Sequence, residues 1–200
     1  HGTPGENGIL EGYLRLMRIP FSTCDVLPSA LTFNKFMLNK ILKSCKIDVA
    51  KSMRIRKGDV VDPDEVIRKV GLPCFIKPTD GGSSFGTTKV RTREQIVPAM
   101  EEAFKENFEI MIESFMEGIE VTNGYYRTRK REVRLPVTEV VSKTEFFDYE
   151  AKYNGMVEEI TPARISDELR DRIQDITAFI YDFLGCHGVI RNDSIITEGN

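Results

Sequence analysis

Residues 72 to 90 combine an apolar run of strand length with a loop of glycine and serine. The run ends at Lys77, and the residues from Thr87 to Val90 return to a β-type pattern. The loop between them contains Gly81, Gly82, Ser83, Ser84 and Gly86. Small residues let backbone N–H groups approach an anion closely, and hydroxyls and a lysine add donors. The stretch therefore predicts either a flap over phosphate groups or an ordinary β-hairpin loop, and its spacing alone leaves both open.

Composition excludes several classes of protein. The chain has 200 residues, of which 40% are hydrophobic and 30% charged, which predicts a soluble globular protein of one or two domains. A net charge of -3 argues against nucleic-acid binding, because that function needs a basic excess. The one basic cluster, residues 127–131, is short and is interpreted as a hairpin tip. No apolar run reaches the roughly 18 residues that span a bilayer, so no membrane association is expected.

Four cysteines are widely separated, without a C-x-x-C pair, and the chain has two histidines. Zinc-type spacing is therefore absent. Cys74 and Cys186 lie in apolar contexts typical of buried free thiols, which predicts a reducing, cytoplasmic environment. The chain opens on His1 rather than methionine and stops just after a strand-like run, so we expect it to be a piece of a longer protein.

Alternating helix and strand patterns predict a mixed α/β (α+β) fold. Residues 1–8 form a glycine-rich turn before a helix, which is either an anion site or a plain connection. Ser29 is interpreted as the N-cap of a helix that runs to about Cys45. Residues 46–61 look strand-rich. Further helix starts are expected at Asp62, Thr92 and Ser166.

Acidic and basic residues at strand ends are the other candidates for a functional site. Glu113 closes a buried strand and Glu120 begins the next extended segment, in a predicted hairpin of residues 119–127 and 132–142. The final strand carries Arg191 and Asp193 on one face, because side chains two apart point the same way. Such a pair forms either a salt bridge or a phosphate contact beside a metal ligand. Residues 148–155 are either a functional loop or a surface excursion.

Taken together, these segments resemble the D-alanine-D-alanine ligases of the ATP-grasp superfamily. The resemblance covers nearly the whole chain, and the order and spacing of the motifs make it specific. The matching segments are His-Gly-Thr-Pro-Gly-Glu-Asn-Gly at 1–8, Pro-Ser-Ala-Leu-Thr-Phe-Asn-Lys at 28–35, Ile-Lys-Pro-Thr-Asp-Gly-Gly-Ser-Ser-Phe-Gly at 76–86, Ile-Glu-Ser-Phe at 112–115, Asp-Tyr-Glu-Ala-Lys-Tyr at 148–153, Thr-Pro-Ala at 161–163, and Leu-Gly-Cys-His-Gly-Val-Ile-Arg-Asn-Asp at 184–193.

The resemblance implies a role for residues in each of these segments. The implied contacts to ATP come from Lys35, Lys77, Gly82, Ser84, Gly86, Glu113, Glu120 and Lys152. The implied catalytic residues are Ser83 and Tyr153, which would close the site together, and Arg191, which would stabilise the transferring phosphoryl group. Asp193 would ligate Mg²⁺, and His1 and Glu6 would line the D-alanine pocket. A tyrosine at 153 favours the dipeptide over D-alanyl-D-lactate.

The implied reaction is the ATP-dependent ligation of two D-alanines through an acyl phosphate, for peptidoglycan precursors. The implied fold is an ATP-grasp with three regions: residues 1–27 as a remnant of an N-terminal domain, 28–117 as the central subdomain, and 118–200 as a truncated C-terminal subdomain. Two Mg²⁺ ions, which Mn²⁺ could replace, and a homodimer belong to the implied full-length enzyme.

Three positions depart from the family pattern: Ser114 where a lysine is frequent, and Asn192 and Ser194 where apolar or aromatic residues are usual. They keep two alternatives open, another ATP-grasp carboxylate-amine ligase and a degenerate nucleotide-binding module. The family's further metal ligands, a Glu and an Asn, would lie beyond Asn200. We therefore expect the 200-residue chain by itself to be inactive.

Overall fold

The computed structural model describes residues 2–82, 85–142 and 157–198. His1, Ser83, Ser84, Lys152 and Tyr153 lie outside the described residues. The helices are α1 Ile9–Leu16, α2 Val26–Phe33, α3 Lys35–Ser44, α4 Pro63–Lys69, α5 Ile96–Glu106 and α6 Asp167–Phe183, with a 3₁₀ turn at Arg93–Gln95. The strands are β1 Ser52–Arg56, β2 Cys74–Pro78, β3 Thr88–Val90, β4 Glu109–Ser114, β5 Ile119–Arg127, β6 Glu132–Ser142, β7 Val157–Ile160 and β8 Val189–Ile196. The mixed α and β composition agrees with the sequence prediction.

The chain divides into two compact units. One comprises Leu31–Met116, and the other comprises Thr3–Ala30 and the chain from Glu117 onward. The division falls within α2, between Ala30 and Leu31. We call them the middle unit and the outer unit. The subdomain boundaries expected from the sequence stay a prediction.

The middle unit is built on an antiparallel sheet of order β1-β4-β2-β3. Alternate residues of β2 are buried, which places Cys74 and Ile76 in a core with Ile96 and Ala103 of α5. Because side chains alternate along a strand, Phe75 and Lys77 lie on the opposite face. One face of this sheet is thus a hydrophobic core, and the other carries charged side chains.

The outer unit contains a second antiparallel sheet, of order β7-β6-β5-β8. Val121 of β5, Val137 of β6 and Ile173 of α6 form one buried cluster, and Tyr125 and Tyr181 belong to a second. Helix α6 therefore covers one face of the sheet. The residues that alternate with Val121, namely Glu120, Thr122 and Gly124, lie on the face away from α6.

Two predictions for the first half of the chain are wrong. Ser29 does not cap a helix that runs to Cys45; it is a buried residue inside α2. Asn34 separates α2 from α3 because its backbone is extended, and its side chain accepts a hydrogen bond from Met37 N at 3.0 Å. Asparagine is as good an N-cap as serine, so α3 starts there instead. Residues 46–61 contain one strand, β1, rather than a strand-rich stretch.

The other helix starts are confirmed. Asp62 caps α4 with Pro63 in its first turn, and Ser166 accepts from Leu169 N to cap α6. Thr92 and Gln95 form the expected capping box, which begins with the 3₁₀ turn and continues into α5. None of the helices in the described part of the chain has the length and apolar character needed to cross a membrane.

Candidate functional site

Lys77 and Glu113 form an ion pair on the charged face of the middle sheet. They lie on neighbouring strands, because β2 pairs with β4 so that Phe75 stands opposite Glu113 and Lys77 opposite Met111. Lys77 Nζ donates to Glu113 Oε1, and each side chain keeps only 19% of its surface exposed. Two residues assigned separately to ATP by the resemblance are therefore brought together, 36 positions apart in sequence.

Lys35 is hydrogen-bonded to the start of the glycine-rich loop. Its backbone N–H donates to Thr79 O at 2.9 Å, and its Nζ donates to Gly81 O at 2.9 Å. Because Lys35 is the first residue of α3, these contacts fix the N-terminus of that helix against the loop. A helix N-terminus and an ammonium group together favour a bound anion.

Asp80 lies between the two residues that accept from Lys35, and sequence reasoning did not single it out. Its Oδ1 is buried and has no hydrogen-bond partner among the described residues. Burial raises the pKa of Asp80 above its ordinary value, while Lys35 and a hydrogen bond from Asn34 act in the opposite direction. Asp80 is thus a carboxylate held partly out of water beside a predicted phosphate site.

Gly86 closes the loop where a side chain cannot be accommodated. Its φ is +64°, and a Cβ there would lie 2.9 Å from Glu106 Cγ and 3.2 Å from Pro78 Cγ. Gly82, by contrast, has nothing within 4 Å of the position a Cβ would take. The backbone is therefore tightly packed at Gly86 and open at Gly82, and the flap role of the loop stays a prediction.

Ser114, the first departure from the family pattern, has a structural role. Its Oγ accepts from Lys51 N at 3.0 Å, and its N–H donates to Lys51 O at 2.9 Å, which extends the pairing of β4 beyond β1. A positive charge is supplied nearby by Lys89, whose Nζ lies 3.7 Å from the centre of the Phe115 ring. That contact is a cation–π interaction.

Arg191 and Asp193 form the second ion pair, on the open face of the outer sheet. Arg191 Nε and Nη2 each donate to one oxygen of Asp193 at 2.9 Å. These hydrogen bonds raise the pKa of Arg191, and the carboxylates of Glu159 and Glu6 act in the same direction. The predicted alternation of β8 is confirmed, and Glu6, which the resemblance assigns to the substrate pocket, lies within electrostatic range of Arg191.

A groove runs along the same face beside Arg191. It is lined by Thr122, Gly124, Leu135, Pro136, Thr138, Thr161, Val189, Ile190 and Arg191. Thr138 and Thr161 share a hydrogen bond at 2.6 Å between their hydroxyls. Thr122 Oγ1 is buried without a partner in the described part of the chain, and Thr122 stands opposite Asp193 in the strand register. Sequence reasoning missed these threonines, although alternation from Glu120 places Thr122 on the same face.

The metal expectation rests on Asp193. In the described ranges, no three His, Cys, Asp or Glu side chains are grouped so that they could hold a metal ion. Mg²⁺ binds oxygen ligands and commonly uses one or two carboxylates with substrate phosphates. Asp193, with the unpartnered Thr122 hydroxyl opposite it, fits that type of site, and its role as a ligand stays a prediction.

Comparison with known proteins places these features in a family. Residues 41–200 match the family described as D-ala D-ala ligase C-terminus. A D-alanine--D-alanine ligase of Phocaeicola vulgatus is 60% identical over 199 residues, which cover 100% of this chain and 61% of that protein. Another, from Bacteroides fragilis, is 58% identical over 199 residues, with 100% and 61% covered. The chain thus spans less than two thirds of these relatives.

The fold of the chain is similar to that of a solved ligase structure. The VanG D-Ala:D-Ser ligase of Enterococcus faecalis matches with a TM-score of 0.89 and 35% identity, covering 99% of this chain and 58% of that one. The ATP-grasp fold implied by the sequence resemblance is thereby confirmed. The chain belongs to the D-Ala-D-Ala ligase family and matches its C-terminal region.

Proposed function

We propose that this chain forms the ATP-binding part of a ligase that joins two D-alanines to D-alanyl-D-alanine for peptidoglycan synthesis. The observation that supports this most is the Lys77–Glu113 ion pair, because it joins two residues that the family resemblance assigns to ATP. The names of the relatives at 60% and 58% identity support the same substrate.

A carboxylate does not form an amide directly, so such an enzyme first transfers the γ-phosphoryl group of ATP to one D-alanine. The amine of the second D-alanine then attacks the acyl phosphate and expels phosphate. Phosphoryl transfer depends mainly on positioning and charge neutralisation, with no covalent enzyme nucleophile. Lysines, an arginine and a hard cation suit this chemistry.

The proposed roles are those that the family resemblance implies, and the contacts above support the roles of Lys35, Lys77 and Arg191. Lys35 and Lys77 bind phosphate oxygens, and the loop from Gly82 to Gly86, including Ser84, covers them. Glu113 and Glu120 accept hydrogen bonds from the nucleoside, and Arg191 donates to the transferring phosphoryl group. Mg²⁺, which Mn²⁺ could replace, supplies further charge neutralisation when bound at Asp193. The proposed residues outside the described part of the chain are His1, Ser83, Ser84, Lys152 and Tyr153.

Water must be excluded from an acyl phosphate, because hydrolysis would waste ATP. The loop near Lys77 and the segment containing Tyr153 are proposed to close over the site together. Glu6 is proposed to contact D-alanine with His1. Its position near Arg191 is consistent with a substrate that lies beside the phosphoryl group.

The experiment uses a chimera in which this chain replaces the matching 199 residues of the Phocaeicola vulgatus relative. We expect phosphate release that depends on both ATP and D-alanine, with D-alanyl-D-alanine found by mass spectrometry. D-Serine and D-lactate are tested as second substrates, since one similar structure is a D-Ala:D-Ser ligase. If the product forms faster with D-serine than with D-alanine as second substrate, the proposed product is wrong and D-alanyl-D-serine takes its place. The 200-residue chain alone should release no phosphate with D-alanine.

Point variants of the chimera test the site. Lys77→Met should raise the KM for ATP by about 10- to 100-fold, as expected for loss of a charged hydrogen bond. Arg191→Met should lower kcat by at least about 100-fold, the scale for removing a donor that stabilises transition-state charge. Lys69→Met is the matched control, because Lys69 pairs with Glu65 on the surface of the same unit as Lys77. Unchanged kinetics for Lys77→Met in a folded chimera would contradict the ATP site.

A further inference from the structure

Two of the four cysteines, Cys24 and Cys186, meet in the outer unit although 162 positions separate them. Cys24 packs against the buried cluster that contains Cys186, and the two thiols are close enough to shift each other's pKa. Cys24 Sγ also lies 3.2 Å from His187 O, the carbonyl that follows Cys186. Both thiols are free.

The backbone holds the two thiols together. Cys186 N–H donates to Tyr181 O at 2.9 Å in the turn that ends α6, and Ser29 Oγ donates to Cys24 O at 3.3 Å at the start of α2. Gly188 approaches the segment of Ser22 so closely that a Cβ at 188 would overlap Ser22 O. The contact between the cysteines is thus fixed by its neighbours on both sides rather than by the side chains alone.

We propose that Cys24 and Cys186 are a reversible redox modification site, in which a low-molecular-weight disulfide converts the two thiols to an intramolecular disulfide. This inference does not depend on the proposed ligase activity, since none of the residues assigned to ATP or D-alanine takes part. Disulfides in a reducing compartment are usually transient, so a reversible site is compatible with the expected cytoplasmic location.

The two cysteines have different roles because their environments differ. Cys24 is partly exposed, whereas Cys186 keeps 6% of its surface accessible. The hydrogen bond from Cys186 lowers the pKa of Cys24 to about 6, with His187 acting the same way and burial and Glu11 acting against it. The lowered pKa favours the thiolate of Cys24, and its partial exposure makes Cys24 the group that an external disulfide reaches first.

Cys186 serves as the resolving thiol. Its pKa is raised, first by the hydrogen bond to Cys24, then by burial and by the nearby Cys24 charge. The first and last of these causes disappear once Cys24 is bonded to another sulfur. Cys186 can then lose its proton and complete the exchange.

The exchange balances in two steps. The Cys24 thiolate attacks one sulfur of the external disulfide, forming a mixed disulfide and expelling one thiolate. The Cys186 thiolate then attacks Cys24 Sγ, forming the Cys24–Cys186 bond and expelling the second thiolate. The two expelled thiolates take up the protons that the cysteines lost, so the external disulfide is reduced to two thiols and the protein is oxidised by two electrons.

The test incubates the 200-residue chain with oxidised glutathione at pH 7 and alkylates the remaining thiols with N-ethylmaleimide. We expect the protein to lose two hydrogen atoms of mass, to retain two alkylated cysteines, Cys45 and Cys74, and to give a Cys24–Cys186 linked peptide on non-reducing digestion. Dithiothreitol should restore four alkylatable cysteines.

Two variants separate the roles. In the Cys186→Ser variant, the exchange should stop at a glutathione adduct on Cys24. The Cys45→Ser variant should give the Cys24–Cys186 linked peptide, as the unsubstituted chain does. The proposal is overturned if the unsubstituted chain accumulates a stable adduct on Cys24 with Cys186 still a thiol, or if oxidised glutathione leaves Cys24 unmodified. Because both outcomes are read on the unsubstituted chain, they decide the question even if Cys186→Ser does not fold.

Discussion

Replacing Gly188 with alanine should destabilise the outer unit much more than replacing Gly185. The two glycines have nearly the same backbone angle, φ +67° at Gly188 and +65° at Gly185. A Cβ at 185 would meet nothing within 4 Å. A Cβ at 188 would overlap Ser22 O and lie 3.0 Å from Ser22 C and 3.4 Å from Thr23 Cα. The pair therefore separates the cost of the left-handed backbone from the cost of the close approach.

The magnitude follows from these two terms. A left-handed conformation costs an alanine about 1–2 kcal/mol, and the stiffer unfolded chain returns about 0.4–1 kcal/mol, so Gly185→Ala should cost about 1 kcal/mol. Forcing extra atoms into packed structure costs about 1–3 kcal/mol more. Gly188→Ala should therefore lower the free energy of unfolding by about 2–4 kcal/mol in total.

Tyrosine fluorescence during urea unfolding measures this difference selectively. The chain has no tryptophan and no tyrosine between residues 31 and 116, and Tyr13, Tyr125, Tyr126 and Tyr181 lie in the outer unit. Both glycines lie in that unit as well, so one transition reports on both variants. If the two variants agree within about 0.5 kcal/mol, the error expected for such comparisons, the close approach of residues 22 and 188 is refuted.

Two further predictions concern pH. Burial raises the pKa of Asp80 above its ordinary value of 3.8, because burial favours the protonated carboxyl. The stability that comes from this protonation is present below pH 3.8 and is lost as pH rises through the folded-state pKa. Asp80→Asn should therefore increase the free energy of unfolding at pH 7 and change it less at pH 3, measured by circular dichroism in urea; destabilisation at pH 7 would mean that the carboxylate is well satisfied. Hydrogen bonds from Arg164 lower the pKa of the buried Glu139, so that their stabilisation is present above pH 4.5 and is lost as pH falls through the lowered pKa. Arg164→Met should destabilise at pH 7, less so in acid, and more than the surface control Arg170→Met; equal effects of the two in thermal unfolding would contradict the role of the pair.

Features that depend on a few neighbouring residues were predictable from the sequence. The caps at Asp62, Thr92 and Ser166 are local hydrogen bonds, and their residue types determine them. The shared face of Arg191 and Asp193 follows from the two-residue period of any strand. The prediction that Ser29 caps a helix was wrong because Asn34, five residues later, is an equally good cap. The hydrogen bond from Lys35 N to Thr79 O also favours a helix start at Lys35, and the local sequence does not reveal that contact.

Pairings between distant segments were not predictable from local pattern. The sequence gives no register between β2 and β4, so the contact of Lys77 with Glu113 depends on how the sheet assembles. The apolar context of Cys186 predicts only a buried thiol, and its distance in sequence from Cys24 carries no information on contact. Asp80 looked like an ordinary loop residue, because its burial comes from the fold around it.

The two ion pairs can hold their cations in place without using up the donors that a phosphate needs. A lysine ammonium has three N–H donors and an arginine guanidinium five. Arg191 gives Asp193 its Nε hydrogen and one on Nη2, which leaves the Nη1 group and the other Nη2 hydrogen. Lys77 gives one donor to Glu113 Oε1. On the proposed function, a phosphate can therefore bind without breaking either pair, and the carboxylates orient the cations in addition to their proposed roles at the nucleoside and at Mg²⁺. Glu113 also offsets the desolvation cost that Lys77, with 19% of its side chain exposed, would carry alone.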